Sequence, residues 1–151
     1  MLQVSLDELD KRLLKLLQFN CRLSFAELSR ELNVAEATVR FRVNRLVEEG
    51  VITRFAALLD PVKVDMKVSG AILLKIDPSF LDEACKRLVT FNETQYLFQS
   101  TGEYDVVSVI VARDMEHLNE LVKNTKLIPG VKDARVSVTT RFLKFDPSIK
   151  L

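Results

Sequence analysis

Residues Ser24–Gly50, SFAELSRELNVAEATVRFRVNRLVEEG, decide the fold of the N-terminal third. Ser24-Phe25-Ala26-Glu27 has the form of a capping box: the serine oxygen takes an orphan amide while the Glu27 carboxylate reaches back. Leu28 and Leu32, four apart, bury the helix that this box starts. Asn33-Val34-Ala35 is a three-residue turn. A further helix begins near Glu36 and carries Val39, Val43, Leu46 and Val47 toward the core. Gly50 stands where a helix end wants a left-handed residue. Upstream, Asp7 caps a first helix with Leu9, Leu13, Leu16 and Leu17 at helical spacing, broken at Asn20-Cys21-Arg22. Downstream, Val51-Ile52 and Phe55–Leu59 read as extended chain. Helix, helix, short turn, helix, strand is the order of a winged or strand-extended helix-turn-helix.

The third helix carries the chemistry. At about 100° per residue, Ala37, Phe41, Asn44 and Glu48 fall opposite Val39, with Thr38 and Arg45 flanking and Arg40 and Arg42 at the two edges. Arginine forks match guanine, asparagine reads adenine, and phenylalanine presses on a thymine methyl. Ala37, Arg40, Phe41 and Asn44 are therefore the expected base readers. Thr38, Arg42 and Arg45, with helix-start amides at Ser24 and Phe25, are the expected phosphate contacts. A solvated face is the plain alternative, but an exposed Phe41 beside three arginines serves solubility poorly.

Asp60-Pro61 punctuates the chain, and a mixed polar stretch runs to about Ser69. Beyond it Ala71–Ile76, Tyr96–Ser100, Val106–Ala112 and Val131–Phe142 read as strands. Ser79 and Asp114 start two helices, the first with Leu81, Cys85, Leu88 and Val89, the second with Met115, Leu118, Leu121 and Val122. The order is βαββαβ, and its halves correspond at an offset of 36 residues (Ala71 to Val107, Phe80 to Glu116, Tyr96 to Lys132). Two such split units make a ferredoxin-like sandwich with one sheet face bare. So many apolar strand residues on a bare face call for a partner, and dimerisation is the expectation.

The fold class is thus α+β. A helix-turn-helix domain over residues 1–52 is joined by a hinge strand and linker, 53–69, to a ferredoxin-like domain, 70–142, with a tail, 143–151. A net charge of +1 over 151 residues argues for no nucleic-acid partner by itself, yet Val39–Val47 holds Arg40, Arg42 and Arg45 with no acid. No apolar run is long enough to span a bilayer, and Met1–Ser5 lacks a secretory start, so a cytoplasmic protein is expected. Cys21 and Cys85 lie 64 positions apart with no ligand spacing around them, so no metal and no cofactor are expected.

Thr101-Gly102-Glu103-Tyr104-Asp105 joins two strands. It reads first as a hairpin turn with Gly102 at positive φ. It also offers backbone amides for a carboxylate and Asp105 for an ammonium group, a pairing that suits an α-amino acid.

Leu6-Asp7-Glu8-Leu9-Asp10, Ala26-Glu27-Leu28-Ser29, Arg45–Ile52, Leu59-Asp60-Pro61, Thr101–Asp105 and Ile128-Pro129-Gly130-Val131 together resemble the Lrp/AsnC, or feast/famine, regulators. The resemblance covers essentially the whole chain. It implies a DNA-binding N-terminal domain, a C-terminal domain that dimerises and often builds octamers, and amino-acid effectors bound between dimers. It implies effector roles for Thr101, Gly102, Tyr104 and Asp105, and for Ser137, Thr139 and Thr140 on and after the last strand. The implied partner is double-stranded DNA, as a pseudo-palindromic operator with half-sites about 34 Å apart. There are departures. Ala35-Glu36 replaces Ser-Pro, so the third helix either leans on Asn33 for a cap or starts less well fixed; Arg40-Phe41 replaces Ser-Arg; and Asp65 stands where a glycine often closes the linker.

An enzyme on the same architecture, as in siroheme decarboxylases, would need a histidine or arginine aimed into a tetrapyrrole pocket. His117, the only histidine, falls one step off an apolar helical stripe and reads as solvated, so catalysis is not expected. An architectural DNA-binder without an effector is the other alternative.

Overall fold

The computed structural model describes residues 4–151, so Met1–Gln3 of the opening segment lie outside it. The chain divides into two compact units. The first runs to Leu58 and includes Lys144–Leu151; the second is Leu59–Leu143. The tail expected as a separate segment thus belongs with the N-terminal helices.

In the first unit, α1 (Glu8–Phe19), α2 (Phe25–Leu32) and α3 (Glu36–Glu48) enclose a core of Leu13, Leu14, Leu17, Leu28, Leu32, Val39, Val43 and Leu46. Both anticipated N-caps form. Ser24 and Glu27 make the reciprocal box, and Asp7 makes another with Asp10, whose second half the leucine pattern did not reveal. Asn33 does not cap α3. It sits in the left-handed region at φ 55° as the residue that ends α2, its amide turned to Arg30 and Ser29 carbonyls. Ala35 stands at the α3 N-cap with no side-chain bond, as a methyl group must. Val47, expected inward, is exposed at the edge of the inner stripe.

Residues 53–60 form no ladder within one chain. A strand needs a neighbour to satisfy its amides and carbonyls, and neither unit supplies one here, so the expected wing or hinge strand is absent among the described residues. The linker instead forms a 3₁₀ turn, Val62–Val64, closed by Asp65 at φ 63°. Asp65 therefore adopts the conformation for which a glycine is the easier residue.

The second unit holds β1 (Val68–Ile76), α4 (Leu81–Leu88), β2 (Thr94–Gln99), β3 (Val106–Ala112), α5 (Met115–Lys126) and β4 (Val131–Val138). The strands lie in the order β2-β3-β1-β4, all antiparallel, the ferredoxin-like arrangement. A 3₁₀ turn, Pro78–Phe80, capped by Asp77, precedes α4 and displaces the expected helix start. The last strand ends at Val138, before the expected Phe142. Ile72, Leu74, Ile76, Val106, Ile110, Ala112 and Ala134 point to the helices and pack with Ala84, Leu88, Leu118 and Leu121. The alternate set, Ala71, Leu73, Val107, Val109, Tyr96 and Phe98, shares the opposite face, where Tyr96 and Phe98 are exposed.

Candidate nucleic-acid interface and effector turn

Helix α3 is held by a buried ion-pair cluster. Asp10, on α1, is 0% exposed, and an ionised carboxylate at that depth is costly unless charged donors meet both oxygens. They do. Its Oδ2 accepts from Arg45 Nη2 at 2.5 Å and from the Asp7 amide at 3.1 Å, and its Oδ1 accepts from Arg42 Nη1 at 3.1 Å. Arg42 Nη1 also pairs with Asp7 Oδ2. The Asp10 amide and the Arg42 guanidinium hold the Asp7 carboxyl below the usual carboxylate range, and Arg42 is raised in turn by Asp7. Arg42 and Arg45 keep only 21% and 28% of their side chains exposed. Both arginines expected on phosphate are therefore turned inward, clamping α3 to α1.

The remaining residues of the helix divide by face. Ala37, Phe41 and Asn44 are exposed, Phe41 to 65%, while Thr38 is half-buried. Arg40 is open and lies toward α2, its guanidinium 4.7 Å from the centre of the Phe25 ring and its Nη2 3.2 Å from Glu36 Oε1. Asn44 lines the same depression as Phe25 and Phe55. The Ser24 amide donates to Glu27 Oε2 at 2.7 Å, so it is committed to the cap. Its hydroxyl and amide hold the Glu27 carboxyl below its ordinary range.

At one end of the sheet, the β2–β3 connection turns at Gly102, φ 121°, a value that L side chains rarely adopt. Asp105 is tied into the sheet. Its amide donates to the Leu74 carbonyl at 2.9 Å, and its Oδ2 accepts the Ile76 amide at 2.8 Å. That amide first, and Lys75 after it, hold the carboxyl below its usual range. Lys75 Nζ lies 3.5 Å from Asp105 Oδ1 and donates to the Glu103 carbonyl at 2.7 Å. Tyr104 is half-buried, and burial raises its hydroxyl. The Arg135 guanidinium, from β4, lies 5.7 Å from the Tyr104 ring centre, 3.9 Å from Glu103 and 3.5 Å from Asp133. Thr101 and Gly102 are exposed at the tip.

Ser137, Thr139 and Thr140 are not brought to this turn within one chain. Ser137 pairs with Ala71 and Arg135 with Leu73, whereas Asp105 bonds to Leu74 and Ile76. Ser137 is thus displaced along the strands by roughly 10 Å or more, at about 3.3 Å per residue. His117 also departs from its reading as solvated: its side chain is only 12% exposed. Its Nδ1 accepts from the Arg113 amide at 3.3 Å, and its Nε2 faces Glu93 Oε1 at 3.3 Å, bracing β3 and α5 against the approach to β2.

Residues 6–53 match the winged helix-turn-helix DNA-binding family, and residues 70–149 match the Lrp/AsnC ligand binding domain. The chain belongs to the Lrp/AsnC family of transcriptional regulators. It is 38% identical over 141 residues to the HTH-type transcriptional regulator Ptr1 of Methanocaldococcus jannaschii, covering 92% of this chain and 95% of that one. It is 37% identical over 144 residues to an uncharacterised HTH-type transcriptional regulator of Pyrococcus horikoshii, covering 95% and 91%. Among solved structures, a transcriptional regulator of Neisseria meningitidis in complex with L-Met superposes with a TM-score of 0.90 at 26% identity, covering 96% of each chain. Escherichia coli AsnC, at 21% identity with a TM-score of 0.90 over 98% of this chain and 100% of that one, shares the fold.

For this Lrp/AsnC chain the helix-turn-helix and the βαββαβ domain stand as the sequence pattern implied. The residues that pattern reasoning missed are Asp10, Lys75 and Arg135. Asp10 falls in the buried stripe of α1 beside Leu13, Leu14 and Leu17, a carboxylate on an apolar face with arginines one domain-width away in sequence. Arg135 shares a sheet face with Ser137, two residues away on β4, but only the register places it, rather than Ser137, near the turn.

Proposed function

We propose that this transcriptional regulator acts as a dimer or higher oligomer that reads operator DNA through α3 and responds to an amino acid at the Thr101–Asp105 turn. One observation carries the DNA reading. Ala37, Arg40, Phe41 and Asn44 form an exposed face on a helix fixed from behind by Asp10, Arg42 and Arg45. Phe41 on that face matches the methyl-lined floor of a major groove better than bulk water. Thr38 flanks the face and is the proposed backbone contact, whereas the Ser24 amide is taken by Glu27 and the Phe25 ring by Arg40.

Oligomerisation is supported by the bare face of the sheet, where Leu73, Val107, Val109, Tyr96 and Phe98 lie together. A two-fold assembly presents two α3 helices to successive major grooves. The effector reading rests on Thr101, Gly102, Tyr104 and Asp105, joined by Arg135. The complex of the Neisseria regulator with L-Met supports an amino acid as ligand. Ser137, Thr139 and Thr140 reach such a site only from another protomer.

The test is titration of the full chain against a genomic operator fragment at several salt concentrations, alone and with each of the twenty amino acids, with mass measured in parallel. Salt-dependent, sequence-preferring binding that shifts with one class of amino acid is the expected result. Binding that no amino acid alters points instead to an architectural protein.

A further inference from the structure

Arg40 is restrained by two different elements. The Arg40 guanidinium carbon lies over the Phe25 ring, at the start of α2, 4.7 Å from its centre, and Glu36, one turn earlier on α3, holds Nη2 at 3.2 Å. A free arginine loses much rotamer freedom when it binds; one already stacked and clipped loses less, and its planar fork keeps a fixed direction. Its side chain is nonetheless 59% exposed, whereas Arg42 and Arg45 are occupied by Asp7 and Asp10. Among the three arginines of α3, Arg40 alone offers an open, oriented fork.

We propose that Arg40 is the specificity-determining base reader of α3, taking guanine, and that Phe25 and Glu36 are the residues that position it. The assignment rests on the DNA-binding reading above. Its electrostatic setting separates a base from a phosphate. Glu36 pairs with Arg40 directly. The Glu36 carboxylate on this fork repels a phosphate there, whereas the O6 and N7 edge of guanine carries no net charge and accepts two parallel N–H bonds. Ala37, one turn earlier, has only a methyl group to keep the helix from the base edges.

The experiment is selection of binding sites from a randomised duplex library by the full-length protein, followed by titrations of the preferred site and its single-base variants across a salt series. Wild type is expected to enrich a guanine in each half-site. Arg40→Gln is expected to lower the guanine preference at that position by about tenfold, moving it toward adenine, with the other positions unchanged. Phe25→Leu is expected to weaken the guanine preference several-fold, and Phe25→Tyr, which keeps the ring, to restore it. Glu36→Gln is expected to narrow the gap between specific and random DNA. Circular-dichroism melting of each variant identifies any loss that comes from unfolding, and the Phe25→Tyr rescue is a readout that a packing role for Leu would not reproduce. Arg40→Gln that weakens all sequences equally and reduces the salt slope by about 0.9 makes Arg40 a phosphate contact and overturns the assignment alone. A wild-type chain that enriches no sequence overturns the DNA-binding reading and the assignment with it.

Discussion

Arg45 Nη2 lies 2.5 Å from Asp10 Oδ2, joining α3 to the first helix of the unit through a carboxylate with no solvent exposure. Removing either member takes from the other its shortest charged bond and leaves Asp10, where it remains, to Arg42 and the Asp7 amide alone, a loss of about 1–3 kcal/mol. Asp10→Asn and Arg45→Ala should therefore each lower the melting temperature of the N-terminal unit sharply. With no tryptophan in the chain, far-UV circular dichroism is the suitable probe. Arg45→Ala that melts like wild type yet binds all DNA more weakly returns Arg45 to the phosphate.

Asp7 gives this cluster a pH dependence of fixed sign. Its carboxyl is held below the usual range, first by the Asp10 amide and then by Arg42. A depressed folded value stabilises the fold above the ordinary carboxylate value of about 3.9, and that stability is lost as pH falls through the folded value. The melting gap between wild type and Asp7→Asn should be full at pH 6–7 and should shrink progressively below about pH 4. A gap that stays constant down to pH 2.5 contradicts the ion pair.

The bare sheet face makes a prediction about mass. Phe98 is half exposed, so Phe98→Glu removes little of the core of a single chain. If the face is the subunit contact, the substitution buries a charge there and should convert the oligomer to monomers in sedimentation velocity, while the second unit keeps its secondary structure. An unchanged mass locates the contact elsewhere.

Much of the fold follows from periodicity, because buried stripes must repeat with the geometry of the element that carries them. Leu13, Leu17, Leu28 and Leu32 mark two helices, and the 36-residue offset marks the two halves of the sheet domain. Partnership between side chains has no such period. The wheel places Arg42 and Arg45 at the edges of the outer face, and nothing in their own helix reveals that Asp7 and Asp10, more than thirty residues earlier, draw them inward. The candidate effector residues divide for a related reason. Thr101–Asp105 is contiguous and legible, whereas the choice of Arg135 over Ser137 depends on register between β1 and β4.

At the turn, Asp105 and Arg135 should separate stability from response. Asp105 accepts the Ile76 amide, so Asp105→Ala leaves a part-buried donor unsatisfied and should cost about 1–3 kcal/mol whatever its role in binding. Arg135 is largely exposed and stacks on Tyr104. Arg135→Ala should leave the melting temperature within a few degrees of wild type and abolish the amino-acid-dependent change in DNA affinity. Retention of that response in Arg135→Ala removes β4 from the effector site.

Gln18, near the end of α1, grips the tail as a neighbouring strand would. Its Nε2 donates to the Ile149 carbonyl at 3.1 Å, and its Oε1 accepts the Ile149 amide at 2.7 Å. Both bonds are exposed, so together they contribute at most about 1–2 kcal/mol, enough to order a terminal segment but not to hold a domain. Gln18→Ala should therefore leave the α1–α3 core intact while freeing the tail. Hydrogen exchange at the Ile149 amide, slow in wild type relative to Lys150, should rise to the unprotected rate, and trypsin should cleave after Lys144 sooner. Protection at Ile149 that survives Gln18→Ala means that the apolar tail residues, rather than the Gln18 amide, fix the segment.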